Sequence, residues 1–300
     1  MKKTFIIIAV IIAVIGIAVS LGALIAVDFD FSKLGNAKYE RNEYSVSENF
    51  NSIEIDAKET DVIIKPSDNG SVSVVCEERE NVKHAVSVEN DTLKITVNDE
   101  RKWFDRLEFF PKPLSVTVYL NASQYGALKV SNSTGDVSLD GAFTFGNVNI
   151  TASTGDIDIK NITAAKLDLT VSTGDVRVST VTCEEGVSVS VSTGETALTD
   201  LTCKNLISTG STGDVTLKNV IATENFSIER STGDISFDNS DAANITVKTS
   251  TGSVTGTLRT AKVFNANTST GKVSLPDTAS GGNCNITTRT GSIRIELSEN

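Results

Sequence analysis

A four-residue motif, Ser-Thr-Gly-Asp or a close variant, recurs through the C-terminal part of this 300-residue chain. A period as constant as this one indicates a solenoid in which each repeat forms one coil. The motif's glycine recurs every 19 or 20 residues, at Gly135, Gly155, Gly174, Gly194, Gly213, Gly233, Gly252, Gly271 and Gly291.

Apolar and polar residues alternate on both sides of each glycine. Around Gly155, Val148 and Ile150 come before the glycine, and Ile157 and Ile159 come after it. Alternation with period two predicts half-buried β-strands. The apolar residues lie an odd number of positions before the glycine and an even number after it. This change predicts a bend at the glycine, which glycine takes without a Cβ clash. The predicted fold is all-β: a single-stranded β-solenoid (β-helix) of about 20-residue coils.

The coils are predicted to stack in parallel and in register, so that Leu139, Ile159 and Val178 lie above one another. An asparagine eight residues before the glycine is predicted to form a left-handed turn, since asparagine tolerates that conformation. A third buried position is predicted seven residues after the glycine, at Ala142, Ile162, Val181, Leu201 and Val220.

The N-terminal 27 residues form a basic head, with Lys2 and Lys3, and an apolar run from Phe5 to Val27. A run of this length suits a membrane-spanning helix. An uncleaved anchor is favoured over a signal peptide cleaved after Ser20, because apolar residues continue past that point. Lysines before the run and aspartates after it predict a cytoplasmic N-terminus and an extracellular C-terminal domain at the cell membrane.

Three further segments follow the anchor: a linker (28–48), an N-terminal β region (49–130) that caps the solenoid, and the repeats themselves (131–300). The capping region is predicted to begin with a degenerate coil in which Thr60 replaces the glycine. Its apolar residues Ile53, Ile55, Val62 and Ile64 align with Leu128, Val130, Val137 and Leu139. Solenoids need such caps to cover the ends of the core.

The segment 101–113 concentrates aromatic residues between two predicted strands of the cap. Two interpretations remain open: a loop that folds its rings over the end of the core, or an exposed patch that meets a partner or the membrane. The candidate interaction patch comprises Trp103, Phe104, Phe109 and Phe110.

Four cysteines are too few for a disulfide-dependent fold. Cys183 and Cys203 each follow their glycine by nine residues, which places them on adjacent coils about 4.8 Å apart, within reach of a disulfide. Cys284 falls on a core position. Cys76 has no evident partner.

The sequence shows no phosphate-binding loop, no Cys/His metal spacing and no nucleophile elbow. The only histidine, His84, is expected at the surface. We therefore predict no enzymatic activity, no cofactor and no metal site. The net charge of −11 becomes −13 without Lys2 and Lys3, so nucleic acid is not an expected partner.

Two polar rows are predicted to face outwards. The serines before each glycine and the acidic residues after it would repeat at the coil spacing. We expect each carboxylate to accept a hydrogen bond from its own corner. The alternative is a cation- or glycan-binding module that uses both rows. The acidic row comprises Asp136, Asp156, Asp175, Glu195, Asp214 and Asp234.

The Ser-Thr-Gly-Asp repeat behind one N-terminal apolar helix resembles the bacterial putative-adhesin family of STGD β-strand repeat proteins. The resemblance covers roughly residues 50–300, with departures at Glu195, Ser253, Lys272 and Ser292. It implies a non-enzymatic, membrane-anchored surface protein that takes part in adhesion or in cell-envelope stress, because some members are similar to membrane-anchored proteins of envelope stress operons. It implies a protein or cell-wall partner and no catalytic residues.

Overall fold

The computed structural model describes residues 2–26, 38–101, 112, 114–121 and 123–298. It contains one helix, α1 (Lys2–Ala26), and a continuous series of β-strands. The strands are β1 (Tyr39–Val46), β2 (Ser52–Glu59), β3 (Asp61–Pro66), β4 (Val72–Arg79), β5 (Val82–Glu89), β6 (Thr92–Asp99), β7 (Ser115–Leu120), β8 (Gln124–Thr134), β9 (Val137–Thr154), β10 (Ile157–Thr173), β11 (Val176–Thr193), β12 (Thr196–Thr212), β13 (Val215–Lys218), β14 (Ile221–Thr232), β15 (Ile235–Thr251), β16 (Val254–Leu258), β17 (Lys262–Thr270), β18 (Val273–Ser274), β19 (Gly282–Thr290) and β20 (Ile293–Leu297).

The predicted β-solenoid is confirmed. The coils stack in parallel, and Ile159 pairs with Leu139 on one side and with Val178 on the other. These three side chains are buried, as are the equivalent apolar residues before each glycine except in the Gly271 coil, where Phe264 and Ala266 are partly buried. One apolar column therefore runs through the molecule. Stacking supplies the burial and the hydrogen bonds that a single 20-residue coil lacks.

Each coil has three arms, which we number in chain order from the glycine. In the coil that begins after Gly155, they are 157–160, 162–164 and 167–173. The glycine forms the corner between the third arm of one coil and the first arm of the next. A second corner separates the first and second arms.

The second corner is left-handed, and its position differs from the prediction. The left-handed residues lie six positions after the glycine, with φ between 50° and 58°: Asn161, Thr180, Asp200, Asn219 and Asn239. The asparagines eight positions before the glycine instead form a side-chain ladder, in which Asn225 donates to Asn205 at 2.8 Å. The predicted position was wrong because the repeats contain two columns of asparagine. One column takes the left-handed conformation of the second corner, and the other forms hydrogen bonds between side chains of neighbouring coils.

The coils alternate between 19 and 20 residues in length, and small shifts in register accommodate the difference. In most coils the extra residue lies between the second and third arms, for example between Thr182 and Gly186. In the first coil it lies at the second corner, so Phe143 rather than Ala142 pairs with Ile162. Ala142 is exposed and Phe143 is buried, which corrects the prediction for this position.

A polar cluster interrupts the apolar column where Arg230 enters the core. Its guanidinium is buried and donates to the hydroxyl oxygens of Thr196 at 2.9 Å and Ser208 at 3.0 Å. It fills the space beside Gly210, where a Cβ would lie 2.9 Å from Nη1. Three small or polar residues therefore accommodate one large cation, which explains why Thr196 and Ser208 break the apolar pattern.

The last two coils stack in the reverse of their chain order. Cys284 on β19 pairs with Ile245 on β15 and with Phe264 on β17. Ile293 likewise lies between Val254 and Val273. The coil that contains Gly291 is thus inserted between those of Gly252 and Gly271, and the Gly271 coil forms the outer end of the solenoid.

The N-terminal strands close the other end. The predicted alignment of the degenerate coil is confirmed, because Ile53 pairs with Leu128 and Val62 pairs with Val137. From this coil, β6 and then β5 continue one wall, while β7, β4 and β1 continue another. Strand β1 lies within the segment predicted as a linker, and its pairing with β4 makes this part of the segment a folded element.

Candidate functional site

The glycine corners are built by close contact between coils as well as by backbone conformation. All nine glycines have φ between 121° and 155°. A Cβ on Gly155 would overlap the carbonyl oxygen of Gly135 in the neighbouring coil, and the same clash recurs along the column. A side chain at this position would therefore push two coils apart.

The acidic row satisfies backbone donors in the neighbouring coil. The N–H of Asp156 donates to Oδ1 of Asp136 at 2.8 Å, and the N–H of Asp175 donates to Oδ1 of Asp156 at 2.8 Å. The row begins at Asp61 of the degenerate coil, which accepts from Asp136 at 2.9 Å. The carboxylates thus accept backbone hydrogen bonds, but from the next coil rather than from their own corner as predicted.

Two of the departures from the motif, Ser253 and Ser292, fit this role. Ser253 and Ser292 each accept from the next coil with a hydroxyl oxygen, at 3.2 Å and 3.3 Å. Lys272 lies on the outermost coil, where no further described coil needs an acceptor. These hydrogen bonds therefore join coils that are neighbours in space rather than coils that are consecutive in the chain.

One arginine neutralises part of the acidic row. Arg177 donates to Asp156 at 2.8 Å and to Asp175 at 2.6 Å. The pKa of Asp156 is lowered, chiefly by the hydrogen bond from the Asp175 backbone and further by Arg177, against the opposing effect of burial. Hydrogen bonds and this cation together offset the repulsion between carboxylates at the coil spacing.

The serine face and the cysteine pair lie where the sequence predicts. Ser153 and Ser172 are exposed on the third arm. Cys183 and Cys203 are both free and buried on adjacent second arms. Burial raises the pKa of each of these thiols to about 12. A thiol with so high a pKa is a poor nucleophile, so the pair behaves as core packing in this structure.

The predicted aromatic patch of Trp103, Phe104, Phe109 and Phe110 lies outside the described residues. His84, expected at the surface, is instead buried at the N-terminal end of the core. It lies beside Glu78 and Cys76, two other buried side chains. This cluster could not be predicted from the sequence, because a single histidine forms no repeating pattern.

Hydrogen bonds to Glu78 hold this cluster together. Its carboxylate accepts from the backbone N–H of His84 at 2.6 Å, and its Oε2 lies 2.9 Å from His84 Nδ1. The amide of Asn42 donates to the other carboxylate oxygen at 2.6 Å. The pKa of the Cys76 thiol is raised to about 12, mainly by burial and to a smaller extent by the charge of Glu78.

A groove of about 750 Å³ lies on the second arms near the C-terminal end. A buried ion pair borders it, in which Lys262 Nζ lies 2.7 Å from Asp241 Oδ1. Thr260 donates to the other oxygen of Asp241 at 2.6 Å. The groove exists because much of its lining is small: Ala222, Ala242, Ala243, Ala261, Ser280, Gly281 and Gly282.

Helix α1 is long and apolar enough to cross a membrane, by length and composition. Its span Ala9–Ala26 is not buried against the rest of the protein. An N-terminal signal sequence has the same properties.

Together these features define a β-solenoid protein with a ladder of glycine corners and one N-terminal apolar helix. The family model described as Toastrack DUF4097 matches residues 50–206 and 185–300. The chain belongs to this family. No curated protein matches the chain.

Solved structures with low sequence identity align over most of the chain. One is a putative adhesin from Bacteroides fragilis, 16% identical, which covers 86% of this chain and 97% of its own, with a TM-score of 0.45. A putative adhesin from Parabacteroides distasonis is 13% identical over 87% and 98%, with a TM-score of 0.46. A putative lipid binding protein from the same species is 15% identical over 87% and 98%, with a TM-score of 0.38.

Proposed function

We propose that this protein is a membrane-anchored surface protein whose rigid solenoid binds a component of the cell envelope without catalysing a reaction. In this proposal α1 is the uncleaved anchor and the acidic solenoid lies outside the cell. The partner is a protein or a cell-wall polymer, bound in adhesion or in the response to envelope stress.

The single observation that carries the proposal is that the repeated polar side chains at the glycine corners hold coils together. The oxygens of Asp136, Asp156 and Asp175 accept backbone hydrogen bonds from the next coil. Carboxylates that accept backbone hydrogen bonds from the next coil stiffen the surface. They are also poorly placed to exchange protons with a substrate. This use also disfavours the alternative of a cation site along the row, since calcium needs six to eight converging oxygens.

Photo-crosslinking on living cells tests for a partner. A photoreactive residue is placed at one of three exposed positions, Thr216, Thr202 or Thr209, which lie on the first, second and third arms. A fourth position, Ala243, samples the groove. We expect one face to give a discrete adduct while the other positions serve as matched controls. Equal labelling of all positions, or no adduct from any of them, would contradict a specific binding face.

Catalysis is tested separately with purified protein and cell-wall fragments. We expect the fragments to bind and to be recovered with unchanged mass. Release of smaller fragments that depends on the folded protein would replace the binding proposal with an enzymatic one.

A further inference from the structure

The buried cluster at the N-terminal end lies where two walls of the cap separate. Strands β4 and β5 pair at Arg79 and Val82 and then diverge into different walls. Cys76 and Glu78 lie two residues apart on β4, and His84 lies on β5. All three are at most 3% exposed, so they meet inside the cap.

These side chains bring together the three kinds of donor that zinc prefers. A thiol sulfur, a carboxylate oxygen and an imidazole nitrogen lie within 4.8 Å of one another. Tetrahedral zinc with ordinary bond lengths would hold such atoms about 3.3–3.6 Å apart. The three atoms would therefore have to move by at most about 1.5 Å relative to one another. No other group of three such side chains is this close in the described part of the chain.

The imidazole is incompletely satisfied by the protein. His84 Nε2 is buried and has no hydrogen-bond partner among the described residues. An unpaired buried nitrogen costs free energy. The nitrogen that faces the Glu78 carboxylate is Nδ1, so Nδ1 is the atom that would share an ion with Glu78, and Nε2 is left for a second group such as a water.

Charge balance also favours a divalent cation. A dication bound by the Cys76 thiolate, the Glu78 carboxylate and a neutral imidazole forms a cluster with no net charge. A cluster without net charge is far cheaper to bury than one that carries a net charge.

A surface groove leads towards the cluster. It has a volume of about 460 Å³, lies between β1 and β5, and is lined in part by Tyr44 and Val86. The Tyr44 hydroxyl donates to the backbone carbonyl oxygen of His84 at 3.2 Å, so this side chain extends from the groove to the backbone of one proposed ligand. Rotation of Tyr44 would open a path for an ion.

We infer that Cys76, Glu78 and His84 bind one divalent transition-metal ion of the zinc type, with water in the fourth position. The ion fastens β4 to β5 at the point where the two walls of the cap part. This inference is independent of the proposed function.

Cobalt substitution provides the test, because cobalt bound by a thiolate gives a sulfur-to-metal charge-transfer absorption. The full-length protein in detergent is stripped with a chelator and titrated with Co²⁺ and then with Zn²⁺. We expect one equivalent of Co²⁺ to produce the charge-transfer band and visible bands of a tetrahedral site, and Zn²⁺ to abolish both. Zinc should also raise the melting temperature.

Two cysteine variants assign the site. Cys76→Ala should lose the band and weaken Zn²⁺ binding by roughly 100-fold or more, since even changes around a metal's ligands cost 10–100-fold. Cys284→Ala removes another fully buried cysteine and should leave both unchanged. The wild-type titration decides the matter even if a variant fails to fold. The absence of a band in wild type, or its persistence in Cys76→Ala, would overturn the inference.

Discussion

At the scale of single residues, the Asp and Gly of the repeated motif both contact the neighbouring coil. The carboxylate of Asp156 accepts from Asp175 N–H, and the carbonyl oxygen of each corner glycine points at the next corner glycine. Backbone pairing is interrupted there, so a side chain must supply the missing acceptor. The motif's glycine and aspartate are thus two parts of one arrangement.

Substitutions of Asp156 separate its hydrogen bond from its charge. Asp156→Asn keeps an accepting oxygen and loses only the exposed ion pair with Arg177, for an expected cost below about 1 kcal/mol. Asp156→Ala also leaves the Asp175 N–H without an acceptor and should cost about 1 kcal/mol more. Denaturant unfolding measures both, and Asp238→Ala, which removes an exposed carboxylate outside the row, is the control.

The effect of Asp156 should depend on pH in one direction. Its pKa in the folded state lies below the ordinary value of 3.8, so its contribution to stability is present above that value. The contribution is lost as the pH falls through the folded pKa. The stability difference between wild type and Asp156→Asn should shrink at acidic pH, and a difference that grew on acidification would contradict this account.

Thr180 is a strained residue in the second corner. Its φ of 55° is unusual for a β-branched side chain. Equivalent corners use asparagine, and Asn219 donates to Asp200 of the preceding coil at 2.9 Å. We expect Thr180→Asn to stabilise the protein by about 1 kcal/mol. The reverse change, Asn161→Thr, should destabilise it by a similar amount. Equal melting temperatures for all three proteins would show that this corner carries no strain.

At the scale of elements, the cluster around Arg230 shows how one coil tolerates a buried cation. Burial lowers the pKa of Arg230 to about 10, and its described contacts are hydroxyl and carbonyl oxygens rather than a carboxylate. A buried charge without a counter-ion is unfavourable. The side chain nevertheless fills space that Gly210 and Ser208 leave open.

Two substitutions distinguish volume from charge at Arg230. Arg230→Ala should cost about 2–4 kcal/mol, because it leaves a cavity. Arg230→Met keeps much of the volume and removes the buried charge, so its stability should equal or exceed that of wild type. If methionine proved as costly as alanine in denaturant unfolding, the guanidinium's hydrogen bonds would be the dominant contribution.

The reversed order of the last two coils predicts which engineered disulfides form. Thr255 on β16 pairs with Arg294 on β20, and Ser274 on β18 pairs with Arg294 from the other side. Neighbouring parallel strands lie about 4.8 Å apart, within disulfide range. We expect Thr255→Cys with Arg294→Cys to form a bridge that mass spectrometry detects. Thr255→Cys with Ser274→Cys should remain reduced, whereas a bridge in this second pair would indicate coils stacked in chain order.

The elements that the sequence predicts well are those that repeat. The spacing of the glycines predicted the register of Leu139, Ile159 and Val178 correctly, because every coil repeats the same sequence pattern. The order of the last coils was not predictable, since a repeat unit is compatible with either neighbour. Strand β1 escaped prediction because its residues are half-polar and it pairs at an edge. His84 escaped because its burial depends on partners distant from the repeats.

At the scale of the whole molecule, the cap, the solenoid core and the outermost coil form one continuous stack. The capping strands cover the end that follows the apolar helix in the chain. The opposite end leaves apolar side chains partly open, with Val263 43% and Val273 44% exposed. In the proposed arrangement the capped end follows the membrane anchor, and the repeats extend away from it.

In the proposed arrangement an N-terminal anchor holds the solenoid outside the cell, and cysteine labelling on intact cells tests this topology most directly. All four native cysteines are buried, so they give little background. One reporter is Thr216→Cys on the exposed first arm, and the matched reporter is a cysteine inserted after Met1. We predict that a membrane-impermeant maleimide labels Thr216→Cys on intact cells and labels the N-terminal cysteine only after lysis. Labelling of the N-terminal cysteine alone, or of neither before lysis, would contradict the account.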